Sequence, residues 1–157
     1  MNLTSIKTRL EEQSIHFSND RLHDCDTIIG FEKKAPWRWL GIKLNTFIII
    51  SDYGDKELTV EDLENHLDAS TAYAQLHSEV WHKGLDLSAV IVILLSSKIS
   101  KEAIEFCLKR KSRKKRPGFI VPAMINTKIS KPYYFKMRPL FARRYYDHLE
   151  NLIESLK

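Results

Sequence analysis

The sequence predicts a single α/β domain over residues 1–157, with a mixed sheet of about five strands flanked by helices in a three-layer sandwich. Three observations predict it. The runs Phe47–Ile50 and Ala89–Leu95 are continuously apolar, as strands buried on both faces are. Amphipathic stretches at helical spacing lie between such runs, so the strands connect by parallel crossovers. A chain of 157 residues, 43 % apolar and 29 % charged, suits one sizeable core.

Each element has its own signal. Leu3, Ile6 and Leu10 make an amphipathic helix of residues 3–13. Asp26–Lys33 is a strand with β-branched residues at its centre, and Lys34-Ala35-Pro36 is a turn. Trp37–Ser51 is too long for one flat strand: either Gly41 marks a bulge within it, or Trp37–Trp39 is loop and Leu44–Ser51 is the strand. Asp52-Tyr53-Gly54-Asp55 is turn chemistry. Thr59 and Asp62 form a capping pair, because a hydroxyl there accepts from a free amide that opens a helix. That helix carries Leu63, Leu67, Ala74 and Trp81, runs to His82 and stops before Gly84.

Ser88–Leu95 is the central parallel strand. Ser100 caps the next helix, which sets Ala103, Ile104, Cys107 and Leu108 on one face. Gly118–Ile125 follows as a strand. Its Pro122 cannot donate to a ladder, so an edge position or a bulge is expected there. Lys131–Met137 pairs back through Asn126–Ser130. Pro139 suits the first turn of a last helix striped by Phe141, Tyr145, Leu149, Leu152, Ile153 and Leu156. The order is α-β-β-α-β-α-β-β-α, and the two directly linked strand pairs are antiparallel.

Several function classes drop out. The apolar runs fall far short of the ~20 residues that span a bilayer. The opening MNLTSIKTRLEEQ has early charges and no apolar core of signal-peptide length. Two cysteines, Cys25 and Cys107, make no disulfide framework, so free thiols and a cytoplasmic location are expected. Neither G-x-G-x-x-G nor a P-loop occurs, and no cofactor is predicted. Ser96 and Ser97 end the central strand without a G-x-S-x-G elbow to make a nucleophile. In His23-Asp24-Cys25-Asp26, strand alternation would send the His and Cys to one side and the two Asp to the other. No second cluster supplies further ligands, so the tetrapeptide is read as a turn and no metal site is expected. His77, His82 and His148 are read as surface histidines.

Charge is the strongest signal. Phe106–Tyr146 contains thirteen Lys and Arg and no acidic residue. The remainder holds twelve basic against twenty acidic residues, so a net charge of +5 hides a bipolar chain. Lys109, Arg110, Lys111, Arg113, Lys114, Lys115 and Arg116, with Arg138, Arg143 and Arg144, are the expected polyanion-binding set. Such clusters neutralise phosphates and release counterions. The interleaved Tyr133, Tyr134, Phe135, Phe141, Tyr145 and Tyr146 can stack on unpaired bases where exposed. Competing accounts are cations closing a helix, and neutralisation by Glu61, Asp62, Glu64 and Asp68.

A second class comes from Asp26 with Glu32 and Lys34. Two carboxylates and a lysine can hold Mg²⁺ and orient a water against a phosphodiester. Over these nine residues the chain resembles the D…E-x-K set of nucleases of the restriction-endonuclease fold, in which the Asp and the Glu-x-Lys lie on neighbouring strands. Asp52 or Asp55, beyond the second strand, is the alternative partner for Glu32. The resemblance implies a metal-dependent nuclease, with Mg²⁺ as its cofactor. The leading expectation is instead a non-enzymatic module that binds nucleic acid or an acidic protein. A third is a homodimerising subunit, with the Trp37/Trp39 hairpin or the last helix as its interface.

Overall fold

In the computed structural model, which describes residues 2–34, 43–77, 87–109, 113–115, 118–136 and 143–157, the chain opens with α1 (Leu3–Glu12). Asn2 and Ser5 cap it reciprocally, each side chain accepting from the other's amide. Its end is closed by Ser14 in the left-handed region (φ 57), with Ile15 N–H donating to Leu10 C=O at 2.9 Å. This turn delivers the chain into β1 (His16–Leu22), which pairs antiparallel with β2 (Cys25–Lys34). The link between them is two residues, His23 and Asp24, both at positive φ (51° and 61°). That is a type I′ hairpin turn: His23 and Asp24 make the expected turn, and Cys25 and Asp26 already belong to the strand it leads into.

β2 pairs antiparallel with β3 (Leu44–Asp52). From there the chain steps in one direction: β3, α2 (Val60–His77), β5 (Leu87–Ser96), α3 (Lys101–Lys109), β8 (Gly118–Asn126). β3, β5 and β8 are parallel neighbours. Because both crossovers step the same way with the same hand, α2 and α3 cover one face. α1 and α4 (Arg143–Ser155) cover the other. Strand alternation splits the core accordingly. Ile48, Ile50, Ile91 and Ile93 pack under α1 and α4, whereas Phe47, Ile49, Val90 and Val92 pack under α2 and α3.

The α/β class, the mixed sheet and the three layers are as expected, but the sheet has seven strands where about five were predicted. Its order is β1-β2-β3-β5-β8-β7, the last being Arg113–Lys115, with β9 (Lys131–Tyr134) also on β8. β1 escaped notice because it is an edge strand with polar, mostly exposed side chains and no apolar alternation. β7 (Arg113–Lys115) lies inside the basic run. Two further short strands, β4 (Glu57–Leu58) and β6 (Lys98–Ile99), pair with each other.

β7 meets β8 over Gly118–Ile120 and β9 meets it over Ala123–Asn126. β5 occupies the other edge of β8 throughout. Pro122 therefore falls in the interval between β7 and β9, a gap in the ladder where a residue without an N–H is tolerated. Trp37, Trp39, Trp81, Gly84, Pro139 and Phe141 lie outside the described residues. Cys25 and Cys107 are not disulfide-bonded. Among the described residues, no helix is long and apolar enough to cross a membrane.

Candidate functional site

At the carboxyl ends of β3 and β5, where open α/β sheets commonly hold ligands, the loops are laced together. Ser96 Oγ donates within reach of the Lys56 and Lys98 carbonyls (2.6 and 2.8 Å) and accepts from Lys98 N–H. Ser97 Oγ donates to Asp55 at 2.5 Å, a bond that holds the Asp55 carboxyl below its ordinary value. Asp52 accepts from Gly54 N–H, and Gly54 takes the left-handed φ of 58° that this turn requires. Thr59 and Asp62 exchange the predicted capping bonds, and Ser100 caps α3. The serines here are structural.

Below this edge lies a polar network that sequence reasoning missed. His66 on α2 is fully buried, with Nε2 2.6 Å from Ser51 Oγ and Nδ1 3.4 Å from the Tyr53 hydroxyl. Ser51 Oγ is 2.7 Å from Thr27 Oγ1, and Thr27 donates to the Cys25 carbonyl at 3.0 Å. That last bond fixes the direction of the rest. Thr27 has spent its proton, so Ser51 donates to Thr27, and His66 Nε2–H donates to Ser51. Nδ1 then faces, as an acceptor, the Tyr53 hydroxyl, which also hydrogen-bonds the Cys25 thiol. Burial, with His23 nearby, pushes the His66 pKa down to about 4, in keeping with a neutral ring. A Ser-His nucleophile needs Nε2 to accept the serine proton. Here the bond runs the other way, in a sealed core, so the pair is structural.

The nuclease set does not assemble. Asp26 sits directly across the ladder from Asp52 at one end, whereas Glu32 sits across from Thr46. Six residues of extended chain separate Asp26 from Glu32, roughly 20 Å. Glu32 and Lys34 do meet, at 2.8 Å, but their third partner is His148, whose Nε2 lies 2.7 Å from Glu32 Oε2. His148 is thus not the surface histidine expected: α4 lays it, 15 % exposed, over β2. Burial alone would raise the Glu32 pKa, but the bonds from His148 and Lys34 outweigh it and hold the carboxyl below its ordinary value. Among the described residues, no three His, Cys, Asp or Glu side chains converge as a metal site would need.

The basic stretch comes to the sheet edge formed by β7 and β9. Arg113, Lys114 and Lys115 form β7, and Lys131 opens β9. Lys109 ends α3, ion-paired with Glu105 at 3.1 Å, and Arg143 and Arg144 open α4. Arg110, Lys111, Arg116 and Arg138 lie outside the described residues. Outside β9 is a depression of about 590 Å³ lined by Leu108, Lys131, Pro132, Tyr134, Phe135, Lys136, Glu154 and Lys157. Lys131 and Lys136 lie over the Tyr133 and Tyr134 rings, 5.3 and 5.7 Å from their centres. The Tyr134 hydroxyl donates to Glu154 at 2.5 Å, and Lys157 pairs with the same carboxylate.

Comparison of the chain with protein-family models, curated proteins and solved structures finds no match.

Proposed function

We propose that this protein is a cytoplasmic, non-enzymatic module that binds nucleic acid through its β7/β9 edge. The observation that carries the reading is the strand order. β7 and β9 share one edge of β8, so Arg113–Lys115 and Lys131 belong to the same margin of the sheet. β1, with Asp20 and Arg21, and the β1–β2 turn, with Asp24, belong to the opposite margin. This arrangement supports reading the charge imbalance along the chain as one between the two margins. A duplex or single strand presents regularly spaced phosphates to such a margin, and each neutralised phosphate releases counterions.

The test is a titration of labelled DNA and RNA oligonucleotides, read by fluorescence anisotropy across a salt series. Binding that weakens steeply with salt, and that is lost when Lys111, Arg113, Lys114 and Lys115 are all changed to Glu with the circular dichroism unchanged, is the expected result. A wild-type protein that ignores DNA, RNA and heparin at low salt overturns the proposal. Capture of polyglutamate but of no nucleic acid would assign the margin to an acidic protein instead.

A further inference from the structure

The depression outside β9 has a composition that phosphate binding alone does not call for. Its volume of about 590 Å³ is bounded by the end of α3, by β9 and its continuation, and by the end of α4. Such a volume falls in the ordinary range of small-ligand pockets, ~300–1,000 Å³. Leu108, a large apolar side chain, is 44 % exposed there, and Pro132 and Phe135 are only half-buried. Apolar side chains rimmed by cations offer an aromatic anion both stacking contact and charge. Glu154, the carboxylate in the lining, accepts from Tyr134 and pairs with Lys157. Its charge is thereby offset within the protein, so Lys131 and Lys136 set the sign of the depression.

A duplex keeps its bases stacked inside and offers only phosphates and groove edges to a margin of this kind. An unpaired nucleotide offers both a phosphate and a free aromatic face. Resting on the reading of the β7/β9 edge as a nucleic-acid surface, we infer that the depression is a subsite for one unpaired nucleotide of a single strand. The base covers Phe135, with Pro132 and Leu108 beside it, and the flanking phosphates lie against Lys131 and Lys136.

The experiment compares a dye-labelled oligothymidylate with a duplex carrying the same number of phosphates. Phe135→Leu keeps apolar bulk, and hence the fold, but removes the ring. It is expected to weaken oligothymidylate binding about tenfold while changing duplex binding less than about twofold. Lys131→Ala combined with Lys136→Ala is expected to weaken both probes. In Phe135→Trp the ring is retained, and oligothymidylate is expected to quench the added indole fluorescence relative to wild type. If wild type binds both probes and Phe135→Leu affects them alike, or affects neither, the subsite is overturned and the edge reading stands. If wild type binds the duplex and not the oligothymidylate, the subsite is again overturned alone. If it binds neither, both fall.

Discussion

The two ends of the β2–β3 ladder bury polar side chains in opposite ways. Under α2, Thr27 and Ser51 join His66 and Tyr53 in a hydrogen-bonded chain of neutral groups. Under α4, Glu32 keeps its charge, held between His148 and a Lys34 that is about half exposed. Neutral groups are stranded at both ends, Ser70 on α2 beside His66 and three more toward the Glu32 end. Among the described residues, the buried side chains of Asn45, Thr46 and Ser88 find no hydrogen-bond partner. The same two strands thus show that a dipole chain can be sealed completely, whereas an ion keeps contact with solvent through at least one partner.

The largest test of this contrast is His66→Ala. It empties a fully buried site and removes the bond to Ser51, so a loss of about 2–4 kcal/mol is expected in urea denaturation. The pH profile distinguishes the two ends next. With a folded pKa of about 4, below its ordinary value of 6.5, His66 takes up a proton more readily when unfolded. Its contribution is therefore complete above pH 6.5 and is lost as pH falls toward 4, by up to ~3 kcal/mol. His66→Asn should abolish that slope. Glu32 is also depressed, and its contribution is lost only at lower pH, as the medium passes below the ordinary carboxyl value of 4.5 and through the folded one. Glu32→Gln should flatten this acid limb alone, and Glu32→Ala should cost about 1–2 kcal/mol, because solvent screens the Lys34 partner. The finest test is a pair of substitutions of one type. Thr27→Val breaks a bond that is made and should cost about 1 kcal/mol, whereas Thr46→Val removes a hydroxyl without a partner and should be neutral or stabilising by about 1 kcal/mol. Equal effects of the two would erase the distinction between the ends.

What could be read from the sequence was what is encoded locally. Continuous apolar runs marked β3, β5 and β8, and a hydroxyl or carboxylate at the right spacing marked the caps at Thr59–Asp62 and Ser100. β1 was not legible, because an exposed edge strand needs no apolar face; its one local mark was the two-residue turn at His23 and Asp24. His66 had a signal that went unused. It shares the helical stripe of Leu63, Leu67, Ser70 and Ala74, all of them buried. The Glu32–His148 bond spans 116 positions and leaves no trace in local spacing. The E-x-K triplet was therefore seen as half of a metal centre when it is two-thirds of an ionic clasp between β2 and α4.

The broken ladder at Pro122 has a consequence for how the molecule behaves when crowded. A strand from a neighbouring copy can add to a sheet only along an unbroken file of donors and acceptors. Along the outer side of β8, among the described residues, that file is cut into a three-residue and a four-residue piece, with an imide between them and three basic residues making up β7. Such a margin resists fibrillar growth even at high concentration.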